Sequence, residues 1–515
     1  MLLVVDQLRA DYLDGFAHRW KRGLAALRNE GAVFERAEYP YLNTVTCAGH
    51  ATIATGTFPH RHGMVLNAWW DRERRALVSC TDDPGSPAVS YGGRTRATSS
   101  GRLLMAPTFA DQLRAQRPGS RVVSLSLKPR SAIALAGHGG TVVTWTDDTA
   151  AAFVTSRAFA PSPVQSVRDF LRQTPYAADA LRPWTLSAPG ESYRYPDANP
   201  FARPLTTQNN LFPHRFPTDA RSAKTFFLLW QASPYSDEYL ARLAAHLADS
   251  YDLGQRADTD VLAVSFSALD LIGHAYGPES REVEDALIRL DETIGALIDT
   301  LDSSVGRDNY LLAFTSDHGV APIPQTAGAA RIVTDDIRDR IEEVLITRFG
   351  ATGRPRTGYV DNVTFTNVYL ADGIRDRLSA DEAAWRSIEA AVQSMPGIAR
   401  LLRADRFDAQ SSDADIRAAA LSAMPGRSGD LIVVTKPHWT VGPRAETSAT
   451  THGTAHPYDR HVPLILFGGG VKAGRWAARV TPADIAPTLA QTAGISMPPV
   501  EGRVLAEAFG ATTSP

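Results

Sequence analysis

Short hydrophobic runs, each followed by a carboxylate, form the clearest pattern along the chain. The three runs and their acids are residues 2–5 before Asp6, residues 261–266 before Asp270 and residues 310–314 before Asp317. Apolar runs of this length, bounded by polar residues, predict buried parallel strands. Open α/β sheets bind ligands beyond the carboxyl ends of their strands. We therefore expect the three acids to meet at one rim.

Helical spacing of apolar residues separates these strands. Val283, Leu287, Leu290, Ile294, Leu297 and Leu301 recur at intervals of three and four, which predicts a helix leading into the strand before Asp317, as in a βαβ unit. Further helices are predicted around 21–30, at 46–55 with Gly56 as the C-terminal cap, from Ser236 as N-cap to Tyr251, and from Thr481 to Leu489. Further strands are predicted at 121–127, 431–434 and 462–467, and the apolar run 226–230 also has the length of a strand.

The alternation of these elements predicts an α/β fold with a mostly parallel central sheet flanked by helices. We assign the core to residues 1–67, 104–160, 221–324 and 426–515. Two stretches differ in composition, and the first is rich in Pro, Arg, Ser and aromatic residues. We interpret them as insertions that cap the rim. The first insertion comprises residues 68–103 and 161–220, and the second comprises residues 325–425.

The overall composition is that of a globular protein. The 515 residues are 44% hydrophobic and 21% charged, and the formal net charge of −3 gives no electrostatic argument for a nucleic-acid or anionic-membrane partner. No apolar stretch approaches the ~18 residues that a membrane helix requires. Met1 begins inside the first strand without a signal peptide, so we expect the numbering to be that of a truncated or processed chain.

Cys47 and Cys80 are the two cysteines of the chain. Two cysteines exclude a zinc site built from cysteine and a disulfide framework. A single bridge between them and two separate buried thiols are both compatible with the sequence, because the spacing does not decide between them.

Histidines close to two of the three carboxylates indicate a metal site. They form Asp270-x-x-x-His274 and Asp317-His318. Zinc binds imidazole nitrogen and carboxylate oxygen, and two zinc ions with open positions for substrate would need about three protein ligands each. Together with Asp6, these residues supply five ligands. A late loop supplies the sixth as His452, with His456 and His461 as competitors.

Thr46 is the candidate nucleophile. It lies at the start of a predicted helix, where a hydroxyl gains from the helix dipole and, when bound to a metal, can ionise near neutral pH. A threonine at this position is more often a structural cap. The assignment therefore depends on the metal ligands around it.

Several segments resemble, in the same order, the motifs of the alkaline phosphatase superfamily. They are residues 43–52 (NTVTCAGHAT), 266–274 (FSALDLIGH), 315–319 (TSDHG) and 451–453 (THG). Within this superfamily the chain is most similar to the threonine-nucleophile branch, the PafA-like and Sphingomonas-type alkaline phosphatases, which are related to nucleotide pyrophosphatases/phosphodiesterases. The resemblance extends from Asp6 to residues 484–488. It implies an alkaline-phosphatase-like core and a periplasmic or secreted location.

The resemblance also implies how the ligands divide. One zinc ion would be held by Asp270, His274 and His452, and the other by Asp6, Asp317 and His318 with Thr46 beside it. No separate Mg²⁺ site is expected. A structural role is expected for the remaining histidines considered, which are His50, His60, His62, His138, His456 and His461.

Lys128, Arg130 and Asn67 are the candidate phosphate ligands. Two zinc ions would be balanced by three carboxylates and a Thr46 alkoxide, so a dianionic monoester needs further cations. Lys128 and Arg130 follow an apparent strand two residues apart, and they would project to the same side. Alone, they would more often form a solvated turn. The resemblance implies that Asn67, Lys128 and Arg130 hold phosphoryl oxygens, as in PafA-like monoesterases.

These observations predict a two-zinc alkaline phosphatase that hydrolyses small phosphate monoesters. In-line displacement by Thr46 would give a phosphothreonine, and water would attack it in a second displacement. A nucleotide phosphodiesterase/pyrophosphatase remains an alternative, favoured if Trp69 and Trp70 help to stack a base. A zinc-binding protein without turnover is a distant one. A sulfatase is disfavoured because the chain lacks a Cys-x-Pro-x-Arg motif.

Overall fold

Five of the hydrophobic runs predicted as strands belong to one ten-stranded sheet. A computed structural model of the chain describes residues 1–206, 211–351 and 358–510. In these ranges the strands are β1 (Leu2–Val5), β2 (Ala32–Glu38), β3 (Ala68–Asp71), β4 (Ala76–Ser79), β5 (Ala88–Ser90), β6 (Val122–Ser126), β7 (Val142–Asp147), β8 (Ala152–Ser156), β9 (Val261–Phe266), β10 (Leu311–Thr315), β11 (Arg331–Val333), β12 (Val360–Thr364), β13 (Asn367–Leu370), β14 (Ile398–Arg403), β15 (Leu431–Thr435), β16 (Thr440–Gly442), β17 (His461–Gly468) and β18 (Gly474–Val480).

Helices cover both faces of this sheet. In the same ranges the α-helices are α1 (Ala10–Gly15), α2 (Gly23–Glu30), α3 (Thr46–Thr55), α4 (Pro59–His62), α5 (Phe109–Gln116), α6 (Pro129–Ala136), α7 (Gln165–Gln173), α8 (Ala223–Gln231), α9 (Pro234–Ser250), α10 (Ala268–Tyr276), α11 (Arg281–Ser304), α12 (Thr334–Phe349), α13 (Ile374–Ala380), α14 (Glu382–Gln393), α15 (Ala414–Ser422), α16 (Pro457–Arg460) and α17 (Ile485–Thr492). Short 3₁₀ helices include Pro482–Asp484, directly before α17.

The strand order of the main sheet is β18-β2-β17-β10-β1-β9-β6-β7-β8-β5. The five central strands β10, β1, β9, β6 and β7 are parallel, whereas β17 and β8 run antiparallel to their neighbours. β1 lies between β9 and β10, with Leu3 opposite Val264 and Phe314. The predicted α/β fold with a mostly parallel central sheet is confirmed.

Burial on both faces explains why the central strands are almost purely hydrophobic. Leu3 and Val5 face a core built with α9 and α11, and Leu2 and Val4 face a second core built with α3, α5 and α17. Alternate residues of a strand point to opposite faces of a sheet. Each position of β1 therefore has to be apolar, as expected for a strand covered by helices on both sides.

Two sequence predictions about helices are corrected by the structure. The helix predicted to start at Ser236 is α9, whose N-cap is Ser233 with Pro234 in the first turn. The Ser236 hydroxyl donates instead to the Gln231 carbonyl. The run 226–230 is helical and belongs to α8. Its Leu228 is half exposed while its other four residues are buried, which is the pattern of a helix packed on one side.

The second insertion forms a small sheet of its own, with the order β12-β13-β15-β14. The strand predicted at 431–434 is present as β15, but it pairs antiparallel with β13 and β14 and does not join the core sheet. The predicted start of the last core segment at residue 426 is therefore too early. Similarly, β5 lies in the predicted cap segment 68–103 but pairs with β8 at the edge of the main sheet.

The strands predicted at 121–127 and 462–467 are β6 and β17, and both are in the main sheet. The predicted helix at 46–55 is α3, and Gly56 ends it in the left-handed conformation with φ of 69°. Among the described residues, none of the helices combines the length and hydropathy needed to cross a bilayer.

Candidate active site

The predicted site residues meet at the carboxyl ends of β10, β1, β9 and β6. Asp6 directly follows β1, whereas Asp317 and His318 come shortly after β10. Asp270 and His274 lie inside α10, the helix that follows β9. Asp270 is thus presented by the first turn of a helix, not by the strand end itself. The expected gathering of three acids at one rim is confirmed.

The carboxylates and imidazoles form two overlapping groups. His318 Nε2 lies 3.5 Å from Asp6 Oδ1 and 3.3 Å from Asp317 Oδ2. His274 Nε2 and His452 Nε2 lie 3.2 and 3.7 Å from Asp270 Oδ1. The ligand atoms of Asp6, Asp317 and His318 are within 4.8 Å of one another, and so are those of Asp270, His318 and His452. His318 therefore belongs to both groups, whereas the predicted ligand His274 contacts Asp270 but is part of neither group.

Main-chain carbonyls fix a proton on Nδ1 of the three imidazoles. In each ring, Nδ1 lies 2.8–2.9 Å from a carbonyl oxygen, to which it donates its proton. The partners are Thr450 for His274, Gly319 for His318 and Thr44 for His452. Nε2 is therefore the ring nitrogen that faces the carboxylates in each case, and the Asp270 carboxylate raises the pKa of His274. A proton on Nδ1 is the tautomer that a metal-binding histidine adopts when a second interaction orients its ring.

Burial and neighbouring charges shift the pKa values of the acids and imidazoles in the cluster. Burial raises the pKa of Asp6 well above its usual value, and the charges of Asp270 and Asp317 raise it further. Burial lowers the pKa of His318 and of His452, which keeps both rings neutral. Within residues 1–206, 211–351 and 358–510, Asp6 Oδ1 and Asp317 Oδ2 have no hydrogen-bond partner. Oxygen and nitrogen donors directed at a shared space fit divalent cations.

Thr46 lies beside this cluster with its hydroxyl directed at His318. It is the first residue of α3 and is buried, and its Oγ1 is 3.4 Å from His318 Nε2. The N-cap is Val45, and the side chain of Thr46 does not cap the helix. The structure therefore contradicts the alternative that Thr46 is a structural cap.

Asn67 performs the capping instead. Its Oδ1 accepts a hydrogen bond of 2.9 Å from the main-chain N–H of Cys47 in the first turn of α3. This contact fixes the orientation of the amide, because its oxygen must face Cys47. A disulfide joins Cys47 to Cys80, whose N–H donates to the Asn67 carbonyl. The bridge that the sequence left open is therefore present, and it holds Asn67 next to Thr46.

Lys128 lies inside the cluster and not on a solvated turn. It is 7% exposed, its Nζ donates to Asp6 Oδ2 at 2.6 Å, and it also contacts Asp270 Oδ2. Burial opposes its charge, but the carboxylates of Asp270 and Asp6 raise its pKa, so the ammonium stays protonated. Arg130 is half-buried in the first turn of α6. Its Nε is buried without a hydrogen-bond partner among the described residues.

Sequence reasoning missed two residues that touch the carboxylates. His50, expected to be structural, has its Nδ1 2.9 Å from the Thr46 carbonyl and 3.2 Å from Asp317 Oδ2. Gln7 donates from Nε2 to Asp270 Oδ1 at 2.7 Å. A histidine four residues after Thr46 on the same helix was an available signal for His50. Nothing in the spacing marked Gln7.

The other histidines are engaged outside the cluster, as expected for structural residues. The side-chain partners are Glu501 for His60, Thr52 for His62 and Asp111 for His138, and the carbonyl partners are Thr435 for His456 and Glu35 for His461.

Comparison with known proteins places the chain in a class of phosphate-ester hydrolases. Residues 1–459 match the sequence profile described as type I phosphodiesterase / nucleotide pyrophosphatase. The chain belongs to this family, and the resemblance identified from its motifs is confirmed.

Among individual relatives, the chain is similar to alkaline phosphatases along nearly its whole length. It is 28% identical over 506 residues to alkaline phosphatase PhoV of Synechococcus elongatus, covering 96% of this chain and 90% of the relative. It is 29% identical over 519 residues to alkaline phosphatase PafA of Elizabethkingia meningoseptica, covering 99% and 94%. The crystal structure of PafA superimposes with a TM-score of 0.88 at 27% identity, covering 99% of this chain and 98% of that one.

Proposed function

We propose that this protein is a two-zinc alkaline phosphatase that hydrolyses phosphate monoesters through a phosphothreonine at Thr46. One observation carries the proposal. A threonine hydroxyl that does not cap its helix and a buried ammonium group, that of Lys128, border the same cluster of carboxylates and imidazoles. The hydroxyl is suited to attack phosphorus, and the ammonium is suited to bind a doubly charged phosphoryl group. Relatives named as alkaline phosphatases support the same activity.

We divide the candidate metal ligands into two sets. Asp6, Asp317 and His318 would hold one zinc ion beside Thr46, and the other would be held by Asp270, His274 and His452. When bound, zinc acts as a Lewis acid that stabilises negative charge on oxygen and lowers the pKa of a coordinated hydroxyl. Imidazole nitrogens in both sets favour zinc over magnesium or calcium, which prefer oxygen ligands.

Residues of the chain supply the nucleophile and its orientation. Once deprotonated, the Thr46 oxygen attacks phosphorus opposite the leaving oxygen, and the bond to the leaving oxygen breaks as the new O–P bond forms. The amino end of α3 stabilises the negative charge on the attacking Thr46 oxygen. His50 takes no direct part in the reaction. Its Nδ1 donates to the Thr46 carbonyl and so holds the first turn of α3. A second displacement by water releases phosphate and restores Thr46, so the configuration at phosphorus is retained.

Three side chains would hold the remaining phosphoryl oxygens. Asn67 presents its amide NH₂ while its oxygen caps α3. Lys128 supplies a buried charge, and Arg130 supplies a fork of donors suited to phosphate. A monoester carries one more negative charge than a diester at alkaline pH. These cations therefore favour the monoester over the diester.

The test compares p-nitrophenyl phosphate with bis-p-nitrophenyl phosphate. Wild type should have the higher kcat/KM for the monoester, and Lys128→Ala/Arg130→Ala should lose this preference through a selective fall in monoester activity. The control is Lys472→Ala/Arg479→Ala, which removes the same charges from exposed positions at the far edge of the sheet. An unchanged preference in the Lys128/Arg130 variant would contradict the assignment.

The second candidate is a nucleotide phosphodiesterase/pyrophosphatase, favoured by the description of the family profile. The expected base-stacking slot has little support from Trp69, which is 3% exposed and packs in the hydrophobic cluster around Cys47 and Cys80. Trp70 is half-buried. A wild-type preference for the diester in the same assay would establish this function in place of the first.

Family relatives also guide the expected surroundings of the enzyme. We propose that its partners are small-molecule phosphate esters and that it acts in the periplasm or outside the cell. The Cys47–Cys80 disulfide supports a location where disulfides persist.

A further inference from the structure

Gln7 lies at the centre of the carboxylate cluster, although it is neither an acid nor an imidazole. It follows Asp6 directly and is 1% exposed. Its side-chain Nε2 donates to Asp270 Oδ1 at 2.7 Å, and its main-chain N–H lies 3.2 Å from Asp317 Oδ1. One residue thus connects the loops after β1 and β10 with helix α10. It also connects the two groups of candidate metal ligands.

The backbone of Gln7 is unusual for a residue with a long side chain. Its φ is 70°, in the left-handed region that glycine adopts most readily. A non-glycine residue held in this conformation costs on the order of 1 kcal/mol or more, and such residues cluster at functional sites. This conformation directs the main-chain N–H of Gln7 to Asp317 while its side chain reaches Asp270. The neighbouring N–H of Leu8 donates to Ser316 Oγ at 2.9 Å and anchors the same loop.

Gly273 provides the space that the Gln7 side chain occupies. It lies on α10 between Asp270 and His274, and a methyl group at this position would overlap Gln7 Oε1. The three atoms nearest to that methyl group all belong to Gln7. The absence of a side chain at 273 and the amide at 7 therefore fit each other. The amide is wedged against the turn of helix that carries two candidate metal ligands.

We propose that Gln7 is a positioning residue that fixes the two groups of candidate metal ligands relative to each other. Its main-chain N–H orients Asp317, and its side-chain amide orients Asp270. The inference rests on the proposed function, because it assumes that these carboxylates bind metal. Hydrogen bonds to metal ligands fix ligand orientation, and their loss typically costs about 10–100-fold in metal affinity or activity.

One hydrogen bond of Gln7 comes from its main chain and the other from its side chain, so a substitution can remove the second and keep the first. Gln7→Gly removes the amide but keeps the main-chain N–H and suits the left-handed backbone. The orientation of Asp317 is then retained, while Asp270 loses a donor. The zinc ion assigned to Asp270, His274 and His452 should bind less tightly, and the ion assigned to Asp6, Asp317 and His318 should bind as before.

The experiment titrates metal-free protein with zinc against a chromophoric chelator and resolves two affinities. In Gln7→Gly one affinity should fall by about 10–100-fold and the other should change by less than about twofold. The weakened site is assigned with His274→Ala, which removes a ligand of the same ion. Gln7→Leu, which fills a similar volume but removes the donor, should weaken the same site. It provides the test if Gln7→Gly does not fold.

A double-mutant cycle with Gly273→Ala tests the contact itself. In the wild-type background this substitution should weaken the same zinc site, because the new methyl group displaces the Gln7 amide. In the Gln7→Gly background it should have little further effect, because the overlapping atoms are gone. Equal effects in both backgrounds, or two unchanged affinities in Gln7→Gly, would overturn the inference. Wild-type protein that binds no zinc would instead refute the proposed function.

Discussion

Thr46 and Asn67 divide two tasks at the start of α3. In many helices the first hydroxyl caps the helix, which would occupy the Thr46 oxygen. Here Asn67 Oδ1 caps the N–H of Cys47, and Thr46 Oγ1 faces His318. The hydroxyl therefore remains available for chemistry. The same contact turns the NH₂ of Asn67 away from the helix, which leaves a donor for a phosphoryl oxygen.

Replacing Thr46 separates catalysis from metal binding. Thr46→Ala should lower kcat/KM for p-nitrophenyl phosphate by at least about 10³-fold, since it removes the proposed nucleophile. Zinc content and the thermal midpoint should stay close to wild type, because Thr46 provides no cap. Thr46→Ser keeps a hydroxyl and should retain part of the activity. Substantial turnover by Thr46→Ala would contradict the proposed mechanism, whereas a loss of zinc would assign the residue a structural role.

The buried carboxyl group of Asp459 makes the stability of the loop that carries His452 depend on pH. Its Oδ2 accepts hydrogen bonds of 2.8 and 2.6 Å from the N–H and the hydroxyl of Thr454, two residues after His452. Burial raises the pKa of Asp459 from 3.8 to about 7, against the opposing effect of these hydrogen bonds. A raised pKa means that the folded state binds the proton more tightly than the unfolded state. Its contribution to stability is therefore complete below pH ~4 and is lost as the pH rises through about 7.

Asp459→Asn should remove this pH dependence. The Asn oxygen can still accept from Thr454, and the new NH₂ replaces Oδ1, which has no partner among the described residues. Between pH 4 and pH 8 the free energy of unfolding should shift in favour of the variant by a few kcal/mol, at about 1.4 kcal/mol per pKa unit. Urea unfolding of metal-free wild type and variant at several pH values measures this difference. Parallel pH profiles of the two proteins would rule out the effect.

At the scale of elements, α3 is pressed directly against the loop that carries Asp317. All ten of its residues are buried, and Gly49 faces the main chain of Asp317. A Cβ at this position would overlap the Asp317 carbonyl oxygen. Main-chain atoms cannot rotate out of the way as the end of a flexible side chain can, so only glycine permits this approach. The distance between Thr46 and the cluster thus depends on a residue that has no side chain of its own.

Gly49→Ala should therefore damage activity as well as stability. The methyl group would push α3 away from Asp317, which overpacks the core by about 1–3 kcal/mol and displaces Thr46. We expect kcat/KM to fall by at least tenfold, since a misplacement of about 1 Å can cost 10²-fold. Gly15→Ala is the control, because its nearest contact is an Arg194 side-chain atom at 3.7 Å. Wild-type kinetics in Gly49→Ala would show that the close approach is not required.

Element types were predictable from sequence wherever the hydrophobic period was clear. The strands β1 and β9 and the long helix α11 follow from runs and spacing, and so does the rim that gathers Asp6, Asp270 and Asp317. The sheet to which β15 belongs was not predictable, because a buried strand has the same pattern in either sheet. Similarly, Ser233 and Ser236 are equally good caps in sequence, and only the position of Pro234 favours the first.

The site was predictable to the extent that residue type and motif determine it. Acids, imidazoles and the Lys128–Arg130 pair carry their chemistry in their side chains. Gln7 and Gly49 act through a left-handed backbone and a close approach of two chains, and neither property appears in spacing. The orientation of Asn67 depends on a partner twenty residues away, whose position follows from the packing of α3.

For the whole molecule, the sheet brings together residues that are distant in sequence. β1 lies at the centre between β9 and β10, so the first residues of the chain join segments more than 260 residues away. Three buried carboxylates at one rim repel each other, and Lys128 compensates for one charge. If cations bind at this rim as proposed, they should stabilise the core by offsetting this repulsion. Ions that bind the folded state and not the unfolded state raise its stability by mass action.

Removal of metal should therefore lower both activity and the stability of the entire core. After treatment with a chelator we expect loss of activity and a lower thermal midpoint, because the carboxylates around Asp6 are left with uncompensated charge at alkaline pH. Two equivalents of Zn²⁺ per chain should restore both properties, and Mg²⁺ should not, since imidazole ligands disfavour it. Calorimetry combined with metal analysis measures the effect. A thermal midpoint that is the same with and without chelator would show that metal at the rim does not stabilise the sheet. Recovery with Mg²⁺ would contradict the proposed zinc sites.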